Sequence, residues 1–213
     1  MGRRIQAIIY DLDGVLVDSS QANAAFYNHI LGHFGLPPLT PSLLDTVQML
    51  TAGESIDLLF AGHPRLAEVQ AFMLQVDNTP FLPFLRLTPH VRETLERLQP
   101  DYRTAIATNR GRSLPLVLNF LEIEPLFDLV LSSADVVHHK PHPECLHRLL
   151  GHFHLEPSQA LYVGDSVVDQ ETAARAGITF VAYRRAELAA QYHLQEHKEI
   201  FALLALLNGE KPK

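Results

Sequence analysis

The apolar positions of this chain fall into two regimes. Ile5 to Tyr10 is a short, β-branched run without polar alternation that stops at Asp11, and Arg103 to Ala107, Leu129 to Leu131, Ala160 to Val163 and Thr179 to Ala182 are similar. Runs of that length without alternation are buried on both faces, the condition of strands inside a parallel sheet. Between them the pattern turns helical. Thr88 before Pro89 predicts a helix start, with the threonine as cap and the proline at the first helical position, and VRETLERL continues it. Ser113 and Pro143 open two further helices, and Asp169 to Ala176 is a short helix stopped by Gly177. Strands alternating with helices predict an α/β fold: a Rossmann-like parallel sheet of about five strands with helices on both faces.

The stretch from Ser19 to Leu85 breaks this alternation. It carries helical periods near 20–33, 42–50, 54–61 and 65–76 and no convincing strand. It is predicted to be an inserted helical cap of residues 19–85 on a catalytic core of residues 1–18 and 86–213. Pro37, Pro38 and Pro41 punctuate its first connection, and Pro80, Pro83 and Pro89 bracket the return to the core. The two crossings, near residues 16–20 and 84–88, are the expected hinges, with Asp18 and Ser19 capping the first cap helix.

Composition narrows the function classes. Seventeen Lys and Arg against twenty-four Asp and Glu give a net charge of −7, with no basic patch, so neither nucleic acid nor an anionic membrane is an expected partner. The MGRR start leads into too short an apolar run for a signal peptide, Gln6 breaks the myristoylation pattern, and no stretch approaches the length of a membrane span. Cys145 is the single cysteine, so no internal disulfide forms. The expected location is the cytoplasm.

In an open α/β sheet, ligands bind outside the carboxyl ends of the strands. The first strand ends in Asp11-Leu12-Asp13-Gly14, the second in Thr108-Asn109 and the fourth in Gly164-Asp165, with Asp169 four residues on; Lys140 lies in the loop HHKPHPE. Carboxylates gathered at one sheet edge repel one another unless a hard cation neutralises them, which implies magnesium. A magnesium ion beside a lysine and hydrogen-bond donors suits phosphoryl transfer, whose transition state spreads negative charge over three oxygens. A carboxylate can then attack in line to give an aspartyl-phosphate.

DLDGVLVDS after an apolar strand, then TNR, KPHPE and GDSVVD, resembles the four motifs of haloacid dehalogenase-type phosphatases. The inserted segment looks like the helical cap of the phosphoglycolate phosphatase and β-phosphoglucomutase branch. The resemblance implies Asp11 as nucleophile and Asp13 as the acid that protonates the leaving oxygen and then the base that activates water. It places Thr108, Asn109 and Lys140, with Leu12 and Asp13, around the phosphoryl group. It gives Asp11, the Asp13 carbonyl and Asp165 to magnesium, with Asp169 as a ligand or as a partner orienting water. The substrate class it implies is a small phosphorylated metabolite.

Other readings of these residues are weaker. A calcium loop needs Gly at its sixth position, and here Gly14 is fourth. His138, His139 and His142 form an HHxxH pattern, but on a loop rather than a helix, so solvated imidazoles are expected rather than zinc ligands. Cys145, inside a helix, is expected to be a small core residue. A dehalogenase needs neither Asp13 nor a metal. A β-phosphoglucomutase-like mutase would carry His where this chain has Asn23 and Arg where it has Ile56. A non-catalytic phosphometabolite binder would not need Asp11, Asp13, Lys140 and Asp165 together. Within the cap, Asp45, Glu54, Asp57, Glu68 and Asp77 face only Arg65, a net −4 that predicts a preference for neutral leaving groups wherever those acids line the cleft.

Overall fold

A computed structural model describes residues 5–209; the Met1–Arg4 start discussed above lies outside them. Six strands form one parallel sheet: β1 (Ala7–Tyr10), β4 (Arg103–Ala107), β5 (Leu129–Leu131), β6 (Ala160–Gly164), β7 (Thr179–Tyr183) and β8 (Tyr192–Leu194). Their spatial order is β5-β4-β1-β6-β7-β8. The sheet grows from β1 towards β4 and β5, then reverses to β6, β7 and β8. That reversal opens a crevice at the carboxyl end of β1, where α/β sheets bind ligands.

The runs without alternation follow from burial on both sides. Ile8 and Tyr10 of β1 point into an apolar layer with α5 (Val91–Leu98), α6 (Leu114–Leu121) and α9 (Ile200–Asn208), while Ala7 and Ile9 point into another with α7 (Glu144–Phe153) and α8 (Val167–Ala176). The sixth strand, β8, was not anticipated. It is a three-residue edge strand, Tyr-His-Leu between two glutamines, too short and too polar to register as an apolar run.

Between β1 and β4 the chain builds α1 (Ser20–His33), α2 (Pro41–Val47), α3 (Ala52–Leu59) and α4 (Leu66–Gln75), close to the four predicted periods. They enclose their own apolar cluster of Tyr27, Ile30, Leu31, Val47, Ile56, Phe60 and Val69. Asp18 does cap α1, accepting the Ser20 amide at 3.2 Å, whereas the Ser19 hydroxyl accepts from Asn23 instead. Among the described residues no helix is long and apolar enough to cross a membrane.

The two crossings pair with each other. β2 (Val17–Asp18) and β3 (Arg86–Leu87) form a short antiparallel ladder, extended by the Thr88 amide to Leu16 O at 3.0 Å. Thr88 does not cap the next helix as predicted. Its buried hydroxyl donates to Val15 O at 2.6 Å and meets His197 Nε2 at 2.9 Å, so it is committed to the crossing. Helix α5 therefore starts only at Val91, behind His90 in the left-handed region. Burial drives the His197 ring down to about 4, keeping it neutral between Thr88 and Val15 O. Thr88→Val, which keeps the volume and strips the hydroxyl from buried partners, is expected to lower stability by about 1–3 kcal/mol in urea unfolding.

Candidate active site

Each strand end delivers one polar group to the crevice. The ladder runs one residue past β1 and β4, with the Asp11 amide on Val163 O at 2.9 Å and the Thr108 amide on Leu131 O at 3.1 Å, so both backbones are held by the sheet. Gly14 turns the loop after β1 at φ +84°. A Cβ there would also collide with the Asp165 carboxylate, so the turn and the close approach both call for glycine. Gly164, at the end of β6, likewise leaves room for the Asp169 side chain.

Lys140 joins these groups. Its Nζ donates to Asp11 Oδ1 at 2.7 Å, Asp169 Oδ1 at 2.7 Å and Tyr162 OH at 3.0 Å, which uses all three of its protons in a buried position. Burial opposes its charge, but Asp11 and Asp169 hold its pKa above the usual lysine value. Asp169 is the N3 residue of α8 in a capping box with Ser166. Its carboxylate takes Lys140 and Tyr162 on one oxygen and the Ser166 hydroxyl and amide on the other. Asn109 serves the same loop from the other side, its side chain accepting the Lys140 amide at 3.0 Å and donating to Lys140 O at 3.1 Å. Thr108 is buried beside it, its hydroxyl accepting the Arg110 amide at 3.0 Å.

Asp13 lies across the crevice in a bidentate pair with Arg110, at 2.6 and 2.9 Å. Burial alone would raise the Asp13 carboxyl, but Arg110 outweighs it and holds the group below the usual carboxylate range. Arg110 reaches further, donating to Asn23 Oδ1 on α1 at 3.0 Å and to Ser113 at 3.1 Å. Sequence reasoning quoted Arg110 in TNR and gave it no part, and it passed over Tyr162. A cation three residues beyond the end of the strand that delivers Thr108 is the available signal for Arg110; Tyr162 gives none, since one tyrosine inside an apolar strand reads as core.

The acids fit a divalent cation. Asp11, Asp165 and Asp169 each offer a carboxylate oxygen within 4.8 Å of the others. With all four ionised, Asp11, Asp13, Asp165 and Asp169 would carry four negative charges against two from Lys140 and Arg110, an excess that one hard cation with oxygen ligands would match. Asp165 pairs with Arg185 only at 3.8 Å, and burial followed by repulsion from Asp169 outweighs that pairing and drives it up to about 7. Burial also drives Asp11 up, with Asp169 and Asp165 adding to it against the pull of Lys140.

The crevice opens into a cavity of about 740 Å³ under the helical segment. Of the five cap acids only Asp45 lines it. Asp57 is bound to Gln70, Glu68 to Arg65 and Asp77 to the Thr79 amide, and Glu54 caps α3. Ile56 is buried in the cap cluster rather than facing the cavity, while Arg110, Arg112 and Arg185 line it. The expected preference for neutral leaving groups therefore loses most of its basis, because four of the five acids that carried it do not line the cavity. Cys145 is buried, and burial pushes its thiol up to about 11, as expected of a core residue.

The sequence model of haloacid dehalogenase-like hydrolases matches residues 8–183, from β1 to the end of β7. The chain belongs to that family. A phosphoglycolate phosphatase of Haemophilus influenzae is 33% identical over 85% of this chain and 86% of its own length. The pyrophosphatase PpaX of Bacillus mycoides is 27% identical over 97% of this chain and all of its own. A crystal structure of a haloacid dehalogenase-superfamily hydrolase of subfamily IA from Geobacter sulfurreducens superposes with a TM-score of 0.79 at 34% identity, covering 95% of this chain and 98% of the other.

The raised carboxyls have a consequence for stability in this haloacid dehalogenase-like hydrolase. A carboxyl with a folded pKa above its unfolded one favours the folded state while protonated, and that advantage is lost as pH rises. Without metal, stability should fall between roughly pH 4 and pH 7 as Asp165 ionises, by a few kcal/mol in order of magnitude. Calorimetry in chelator should show this slope, Asp165→Asn should flatten it, and magnesium should restore most of the loss at neutral pH.

Proposed function

We propose that this hydrolase is a magnesium-dependent phosphatase that hydrolyses small phosphorylated metabolites through an aspartyl-phosphate on Asp11. The observation that carries this reading is the buried clamp of Lys140 on Asp11 at the mouth of the crevice, 2.7 Å from the oxygen it holds. A lysine there fixes the nucleophile's orientation and sits where a phosphoryl oxygen would need a positive charge.

Asp13 first takes up a proton from solvent against the pull of Arg110; the Asp11 oxygen that Lys140 does not hold then attacks phosphorus as the bond to the leaving oxygen breaks, and Asp13 gives that oxygen its proton. Asp13 then takes a proton from a water, which attacks the phosphorus of the aspartyl-phosphate, releasing inorganic phosphate and the Asp11 carboxylate. Thr108 and the amides of Leu12, Asp13 and Asn109 line the phosphoryl site. Asp11, the Asp13 carbonyl and Asp165 would hold magnesium, which screens the phosphate's charge from the carboxylates. Asp169, with four hydrogen bonds already made, serves as the positioning residue of Lys140 rather than as a ligand. Residues 19–85 act as a cap that opens and closes on the core of residues 1–18 and 86–213, and Arg110 links that cap, through Asn23, to Asp13.

The leaving group is read from the cavity. Arg110, Arg112 and Arg185 on its wall accommodate a second negative charge, in keeping with relatives named for phosphoglycolate and pyrophosphate. The mutase alternative lacks its histidine, since Asn23 is committed to Arg110 and Ser19.

With p-nitrophenyl phosphate as probe, Asp11→Asn should abolish turnover with the fold intact, and Asp13→Asn should lower it roughly 10²- to 10⁴-fold. Activity should vanish in chelator and return with magnesium. Turnover by Asp11→Asn near the wild-type rate would reject the covalent mechanism. Arg110→Gln leaves Asp13 unheld and should cost roughly 10²-fold in kcat. Steady-state kinetics on phosphoglycolate and on a neutral sugar phosphate then tests the leaving group, with higher kcat/KM expected for the anionic one.

A further inference from the structure

The loop that carries Lys140 holds a second group of ligating side chains on its solvent side. His138, His142 and Glu144 each present one ligating atom within 4.8 Å of the other two, and both imidazoles are exposed. The HHxxH pattern is not the arrangement that forms, because His139 turns away, its Nδ1 towards Lys140 O and its Nε2 3.7 Å from Glu54 on α3. The spacing brings together the first and third histidines and the first residue of α7.

The carboxylate is already placed. Glu144 accepts the Val137 amide on one oxygen and the His138 amide on the other, each at 2.9 Å, so the start of α7 is tied back onto the loop. His138 Nδ1 lies 3.1 Å from the same oxygen, and the two imidazole rings stand 4.6 Å apart. The His142 imidazole accepts a long hydrogen bond at Nδ1 from the Glu144 amide, at 3.3 Å. Ligands of a tetrahedral ion at about 2.1 Å lie roughly 3.4 Å apart, so a modest rotation of an exposed ring completes the set.

We infer that His138, His142 and Glu144 form a second metal site, selective for a zinc-class ion and separate from the acidic crevice. Imidazole nitrogen suits zinc, nickel and copper, whereas an all-oxygen crevice suits magnesium, so the two sites are distinguished by ligand chemistry. Three protein ligands leave one position for water. A bound ion would bond residues on both sides of Lys140 and staple the loop that presents it.

The test is zinc titration of the untagged full-length chain by calorimetry, with excess magnesium present to occupy the crevice. One zinc per chain should bind, and the double variant His138→Ala/His142→Ala should bind it more than roughly 100-fold more weakly. Because both imidazoles are exposed, that variant keeps its fold, checked by its unfolding temperature without zinc. Zinc should raise the unfolding temperature of the wild type in excess magnesium and leave that of the double variant unchanged. His152→Ala/His154→Ala, an exposed pair elsewhere, and Asp165→Asn should both retain the site. Undiminished zinc binding by the His138/His142 variant, or loss of the zinc in Asp165→Asn, would overturn the inference. The readout is binding alone, so it stands or falls independently of the phosphatase reading.

Discussion

The active end of this fold depends on one ammonium group. Lys140 is buried between Asp11 and Asp169, which are 129 and 29 residues away in sequence, and its charge offsets the burial of both. Two carboxylates that close in a dry site would force one to take up a proton. The lysine between them holds Asp169 as an anion and opposes the burial that drives Asp11 up, so that one serves as an anchor and the other as the proposed nucleophile. The dependence runs the other way too: removing either acid leaves the lysine with a buried charge lacking one of its partners, a change that costs about 3–5 kcal/mol where such pairs have been broken. The surrounding details all serve this contact. Asn109 fixes the lysine's backbone from β4, Ser166 and Tyr162 saturate Asp169, and Gly164 gives Asp169 room to reach in.

The sheet was legible in the sequence because its central strands are buried on both faces, leaving short apolar runs without polar alternation. Legibility ended where that condition ended, at β8, an edge strand whose Tyr-His-Leu is no more apolar than a loop. Thr88 shows a different limit. Its position before Pro89 is a sound local signal for a helix start, but the hydroxyl has carbonyl partners 72 and 73 residues away that no local pattern announces. Asp11, Asp13, Thr108, Lys140 and Asp165 could be named from strand ends and motif spacing, since the fold gathers strand ends by rule. Arg110 offered only its place just after Thr108 and Tyr162 offered nothing, because their parts lie in side-chain direction rather than in position along a strand.

The cap shows the same distinction. Its helices follow the predicted periods closely, yet the charge expectation built on them lost most of its basis. Periodicity determines that a residue lies on a helix and whether it faces that helix's own cluster, as Ile56 does. It does not say which outer face turns towards the core. Glu68 and Asp77 do not line the cavity, and the arginines that do come from the core, after β4 and β7.

The contacts that span the cleft also indicate how cap and core can separate. The side-chain bonds across it are few and polar: Arg110 with Asn23, Asn109 with Met49 O at 3.4 Å, Arg112 with Leu74 O at 3.0 Å and His139 with Glu54. Most involve partly exposed groups that water can replace, so parting them costs little. The crossings are built in the opposite way, with a β2–β3 ladder, a buried Thr88 hydroxyl and a neutral buried His197 holding them together. Beside these bonds Ala22, Leu82 and Leu85 pack into the core's own apolar cluster, so the proposed rotation of the helical segment would turn about the crossings as the polar bonds part. Such a rotation would move Asn23 relative to Arg110, and with it the guanidinium that holds Asp13, while leaving Lys140 and its two carboxylates, anchored entirely within the core, where they are.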